Sequence, residues 1–307
     1  MSDLQNTTSA EDDPLEDIDI KAFYDQLKEI TDALSYLNYF TDTIKLLLCL
    51  FIIVADIIII KLILSDSKLK TKTNLFICHY AIWHLIFVST STAYFTFVTM
   101  TGLVHYVHFF VFMFLFFSTR LALLVIFNMG LGLGLDWLFN FHDPSFGTRC
   151  RWFNSYLIYI MYGFAGIEFI VIISTSAIVH YIHGLWMLRL LYFLILLIIF
   201  TFNVINYWTK EQKNAIFYGL MLSNVIILCW LPLVIYNSLK MIFFGSVTIY
   251  SILLFTSFIP EWLSLSSSLV VILALVKLDS YFAVKFWSIF RRNKVTGDVE
   301  SLEANGH

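Results

Sequence analysis

Seven long apolar stretches constrain this chain more than any other feature. They run roughly over 44–64, 75–99, 104–135, 153–176, 185–207, 215–239 and 247–276. Each is long enough to cross about 30 Å of hydrocarbon as a helix, and a helix satisfies its own backbone there. Composition points the same way. Hydrophobic residues make up 59% of the chain and charged residues only 13%, with a mean hydropathy of +0.81. A soluble globule carries about 25% charge. A soluble enzyme or nucleic-acid binder is therefore excluded. Only 12 Gly and 4 Pro interrupt 307 residues, which suits long helices and argues against a turn-rich β-barrel. The fold class is an all-α membrane protein, a seven-transmembrane helix bundle over 44–278. No repeat of 20–50 residues stands out.

Residues 1–43 form an acidic tail. Half of the 22 acids lie there, from Asp3 to Asp42, against Lys21 and Lys28. The tail has neither the basic start nor the apolar core of a signal peptide. Asn6-Thr7-Thr8 is the chain's one glycosylation sequon. From about 19 to 40 an apolar stripe of Ile20, Phe23, Leu27, Ile30, Leu34 and Leu37 recurs every three or four residues. It predicts an amphipathic helix resting on the membrane surface, or a lid over a ligand pocket.

Basic residues set the orientation. With the N-terminus outside, the inner side collects Lys68, Lys70, Lys72, Arg149, Arg151, Lys210, Lys213, Lys277, Lys285, Arg291, Arg292 and Lys294. The outer side collects only Lys21, Lys28, Lys45 and Lys240. Twelve against four predicts N-outside and C-inside. Asn6 then faces the compartment where glycans are added.

Several motifs add a resemblance. Cys229-Trp230-Leu231-Pro232 lies within the sixth span and is similar to the CWxP element of rhodopsin-like (class A) G-protein-coupled receptors. Leu64 to Asn74, then Phe76 to Leu85, resemble that family's first inner loop and second span. Asp136, followed by Pro144, resembles the end of its third span. Asp279 to Phe290, with Lys285, Arg291 and Arg292 interleaved among aromatics, looks like its amphipathic eighth helix at about 279–292, before a short cytoplasmic tail at 293–307. The resemblance covers roughly residues 44–292. It implies a plasma-membrane receptor, not an enzyme, without cofactor or metal. Its implied partners are an extracellular ligand (an anionic or zwitterionic small molecule, or a peptide), a heterotrimeric G protein and membrane lipid. Pro232 would kink the sixth span, and Trp230 would floor the pocket.

The departures are specific. Asp56 stands where the family has Asn in span one, and His84 where it has a sodium-binding Asp in span two. Trp137 replaces the Arg of D-R-Y. Nothing of N-P-x-x-Y remains near Val271–Leu275, and span five lacks its usual proline. Cys49, Cys78, Cys150 and Cys229 all lie in spans or on the inner side, so no outer disulfide is available. Asp56, His84, Asp136, Trp137, Arg149, Arg151 and Pro232 are the candidate switch and coupling residues. The lost Arg leaves two readings, a coupling receptor and a pseudo-receptor of the same fold. A seven-helix transporter or channel is the rival from another class, without the inverted repeat or paired broken helices that would favour it.

Ionisable groups in hydrocarbon need partners or water. Arg120, Glu168 and Glu261 each lie sixteen residues from an inner boundary, about 24 Å along a helix. An Arg120–Glu261 or Arg120–Glu168 pair would lock the bundle, or anchor a ligand. Thr119, Trp230, Tyr236, Asn237 and Trp262 would line the same cavity. Asp56 and His84 lie at matching depth and should pair, giving a structural contact or a pH-responsive one. The acid Asp136 should find water, Arg149 or Arg151. His105/His108 and His180/His183 are spaced i,i+3, with neither cysteine nor acid beside them to complete a zinc site.

Overall fold

A computed structural model describes Asp25, Lys28 and residues 35–103, 107–142, 151–178, 181–208, 217–243 and 246–290. Among these residues every regular element is helical. Seven helical stretches are long and apolar enough to cross a membrane: Tyr39–Ser65, Lys72–Met100, Phe109–Asn140, Ser155–Ser176, Trp186–Trp208, Tyr218–Ile242 and Phe258–Leu278. The elements are α1 (Ser35–Ser65), α2 (Lys72–Phe87), α3 (Tyr94–Met100), α4 (Phe109–His142), α5 (Arg151–Ile178), α6 (Tyr181–Trp208), α7 (Phe217–Ile242), α8 (Val247–Phe255), α9 (Phe258–Leu265), α10 (Ser267–Leu278) and α11 (Ser280–Phe290). The first span continues back through Ser35, past the boundary at 43/44 that the sequence suggested. Asp25 and Lys28 alone represent the earlier amphipathic stretch, and both are helical. Asn6 lies outside the described residues.

The helices close a ring. Neighbouring spans pack in sequence, and α1 returns to meet α9 and α10. The third span, α4, is central and touches the second, fourth, fifth and sixth. Its approach to them depends on Gly130, Gly132 and Gly134. A Cβ on Gly132 would sit 2.5 Å from Phe76 Cε1 and 2.9 Å from Met161 Cγ. Small residues permit such close helix contact where lipid gives no hydrophobic drive to association. Ser223 Oγ adds a cross-helix bond by donating to Gly130 O at 2.7 Å.

Local irregularities shape three of the spans. A π-helical turn, Val88–Ala93, separates α2 from α3, and it consists largely of small hydroxyl residues. Such turns disturb the regular backbone ladder locally and are frequent at functional sites. Pro232 lies inside α7, where it removes one amide donor. Beside it, Tyr192 OH donates to Ile227 O at 2.7 Å. The seventh span differs from the 247–276 stretch read from sequence. It is broken at Thr256–Ser257 and again at Ser266, so α8 stands apart and Phe258–Leu278 forms the crossing. High apolarity on both sides of the breaks masked them.

α1, α2 and the start of α11 meet at one corner. Asp66 caps the short 3-10 turn Ser67–Leu69 by accepting from the Lys68 amide. It also accepts from Tyr281 OH at 2.8 Å and pairs with Lys285 Nζ at 3.1 Å. Partial burial alone would raise the Asp66 carboxyl, but bonds from Tyr281, the Lys68 amide and Lys285 outweigh it and hold the group below its ordinary range. The same bond to Asp66 leads in holding Lys285 above its ordinary value, against the opposing pull of burial.

Candidate functional site

The polar centre of the bundle is assembled from three spans. Asp56 on α1 and His84 on α2 are fully buried, and His84 Nδ1 lies 2.9 Å from Asp56 Oδ2. This is the expected pair. The chain completes it with serines from the broken seventh span. Ser268 Oγ donates to Asp56 Oδ1 and lies 2.7 Å from His84 Nδ1. Ser267 Oγ lies 3.2 Å from His84 Nε2 and accepts from Tyr80 OH at 2.7 Å. Tyr80 also stacks on the His84 ring at 5.5 Å. A buried carboxylate is costly unless its oxygens are bonded. Here each Asp56 oxygen has a partner, and the partners come from different helices. The network therefore ties spans one, two and seven together. Its serines were legible in principle, because hydroxyls cluster at Ser264 and Ser266–Ser268 within an apolar span.

Trp230 lies against this network and is itself buried. Its ring meets His84 at 6.1 Å, Phe87 at 5.0 Å and Phe127 at 5.9 Å, each edge to face. Its indole Nε1 is buried without a hydrogen-bond partner among the described residues.

Two cavities open beyond Trp230, towards the Asp42 end of the bundle. The larger, about 330 Å³, is lined by Asp42, Lys45, Ser91, Thr92, Asn237 and Glu261 among others. The smaller, about 210 Å³, includes Arg120, Phe127, Arg189, Tyr192 and Val234. Trp230, Leu233 and Asn237 line both. The π turn places Ser91 and Thr92 in the larger cavity, and Pro232 lies between Trp230 and the rest of the shared wall.

The two acids of the expected ion pairs have other partners. Glu261 pairs with Lys45 at 2.7 Å, and Lys45 also reaches Asp42 at 3.5 Å. Arg120 lines the other cavity beside Arg189. Glu168 accepts from Asn128 at 2.6 Å. Sequence depth alone could not choose among partners, because Lys45 occupies the same level on a different helix. Of the other proposed lining residues, Trp230 and Asn237 are in place. Thr119 Oγ1 donates to its own helix at Leu115 O. Among the described residues, the Tyr236 hydroxyl and Trp262 Nε1 are buried and make no close hydrogen bond, and neither residue lines either cavity. Trp262 instead packs its ring on Phe258 at 5.1 Å.

At the opposite end, Asp136 has a partner that the sequence reading did not name. Lys72 Nζ, from the start of α2, pairs with it at 2.5 Å. Asn140 Nδ2 adds a bond at 3.3 Å. Arg149 and the Arg151 side chain lie outside what is described. Trp137, only 2% exposed, packs with Phe202 and Leu220. Trp137 thus joins spans three, five and six by apolar contact. Nearby, Tyr218 OH donates to Asn74 Oδ1 at 3.0 Å, bridging spans six and two.

His105, His180 and the His183 side chain fall outside the description. His108 Nδ1 accepts from the Phe110 amide at 3.3 Å, at the start of α4. Among the described residues no group of three His, Cys, Asp or Glu is placed to hold a metal. Cys49, Cys78 and Cys229 are free thiols. Neither a protein-family model nor a curated protein matches the chain.

Proposed function

We propose that the chain is a plasma-membrane receptor of rhodopsin-like type, with its N-terminus outside. A ligand enters from the Asp42 end, and the bundle relays its presence to the Asp136 end, where a G protein binds. The observation that carries this reading is the position of Trp230. It is a wall of both cavities and at the same time packs on His84, within the network joining spans one, two and seven. A ligand that displaces the indole must also disturb that network. Two packed arrangements of one bundle, differing in ligand affinity, suffice for signalling.

A pseudo-receptor is the second reading, and Trp137 favours it. An indole offers one N–H donor and no charge, so it cannot replace a guanidinium facing a transducer. In the closed bundle it is also buried, and opening must extract it. The receptor reading is tested in cells exposed to a chemical library, with nucleotide exchange and arrestin recruitment both recorded. Ligand-dependent exchange or recruitment supports it. Ligand binding with neither response moves the assignment to the pseudo-receptor. Solute uptake through the protein would sink both.

A further inference from the structure

The smaller cavity has an unusual combination of walls. Leu123, Phe127, Leu188, Tyr192, Leu233 and Val234 make most of it apolar, yet Arg120 and Arg189 both line it. No acid is among its lining residues. The two guanidinium groups are near enough to repel one another. A cation within an apolar bundle is already costly, and a second of the same sign adds to the cost. Among the described residues, Arg189 meets only the Met241 thioether and the face of Trp186. A thioether is a weak acceptor, so most of the five guanidinium donors remain unspent. Asn237 makes no side-chain hydrogen bond among the described residues, and Trp230 Nε1 is also without a partner. Four donor-bearing residues, Arg120, Arg189, Asn237 and Trp230, thus share one small cavity with a largely apolar wall.

We propose that this cavity binds a small amphipathic carboxylate, its charged end held by Arg120 and Arg189 and its apolar body against Phe127, Tyr192 and Trp230. The proposal deepens the receptor reading, and rests on it only for what binding then does. Guanidinium forks match a carboxylate in a planar, two-pronged way. Size limits the ligand. A 150 Å³ apolar cavity accepts benzene, so about 210 Å³ suits roughly eight to eleven non-hydrogen atoms. A phosphate or other strongly hydrated anion would leave the aromatic and aliphatic wall without a partner. The neighbouring cavity holds two acids, Asp42 and Glu261, against one lysine, Lys45, and this negative balance favours placing an anion on the arginine side.

The test uses the purified full chain in lipid nanodiscs and three probes of one shape: phenylacetate, 2-phenylethanol and 2-phenylethylamine. Binding is measured by titration calorimetry and by saturation-transfer NMR. Phenylacetate should bind at least tenfold more tightly than the alcohol, and the amine should not displace it. Arg120→Gln and Arg189→Gln should each weaken phenylacetate roughly 10- to 100-fold, as loss of a charged hydrogen bond implies. Arg189→Lys keeps the charge but not the fork. It should fall between wild type and Arg189→Gln, and it decides the matter if the Gln variant does not fold. Equal binding of all three probes, preference for the amine, or no phenylacetate binding would overturn the proposal. Because no transducer is present, the two ideas fail separately. Phenylacetate binding without any cellular response leaves the site standing and removes the receptor reading. A cellular response to other compounds, with no phenylacetate binding, does the reverse.

Discussion

Trp137→Ala should loosen the Asp136 end of the bundle without unfolding it. A buried Trp side chain removes about 150–250 Å² from solvent, worth roughly 4–6 kcal/mol at about 25 cal/mol per Å². Trp137 is 2% exposed against Phe202 and Leu220, so the closed bundle has nearly all of this. Separation of spans five and six from span three at this end would admit water to the cleft and forfeit about half, giving a differential of roughly 2–3 kcal/mol. That is a factor of roughly 30–140 in the closed-to-open ratio. From a minor open state of about 1%, the variant would be about a quarter to three-fifths open. The assay is a spin–spin distance between labels at Ser67→Cys and Trp208→Cys, in a background with Cys150 and Cys229 replaced by Ser. Position 208 is 82% exposed, so a label there perturbs little. A second, longer distance should grow in with Trp137→Ala. A folded variant with an unchanged distance distribution would refute the idea that Trp137 holds this end closed.

Other perturbations follow from the same contacts. Asp56→Ala removes one partner of a buried pair, a change that typically costs about 3–5 kcal/mol. The double variant with His84→Ala should cost less than the sum of the two single changes, and strict additivity of thermal midpoints would show that the two side chains act separately. Gly132→Ala must displace Phe76 and should cost about 1–3 kcal/mol as overpacking, read as a lower midpoint. At the corner of α1 and α11, the folded Asp66 group is held below its ordinary value. Its contribution is therefore fully present above the unfolded value of about 3.9 and is lost as pH falls through the lower folded value. Hydrogen exchange of Ser280–Phe290 should quicken over that acid range, and Asp66→Asn should remove that pH dependence.

Much of the architecture was legible because hydrocarbon imposes length and apolarity on every crossing. The Asp56–His84 pair was also legible, since two polar groups at equal depth on adjacent spans have few other partners. Other features depend on helix rotation, which depth does not encode. Glu261 and Arg120 share a level, yet Lys45 takes the acid, and Arg120 lines the cavity with Arg189. Lys72 reads as an inner-loop charge, but its long stem lets the ammonium reach Asp136. Ser267 and Ser268 carry no strong signal individually, and they matter only because the break at Ser266 presents them to His84. Gly130 and Gly134 share a face of α4 and meet spans five and six, whereas Gly132 lies on the other side and meets spans two and four, a division that emerges only in three dimensions.

The central claim is that occupancy at the Asp42 end changes the Asp136 end through Trp230. Its most direct measurement is resonance energy transfer in intact cells, between fluorophores placed in the 209–216 connection and in the tail after residue 292. Compounds, phenylacetate among them, are added from outside. The account predicts a rapid, saturable change in transfer that Trp137→Ala mimics without ligand and that Trp230→Ala abolishes. A ligand shown to bind the cavities at the Asp42 end at saturation, with transfer unchanged in the wild-type protein, would contradict it.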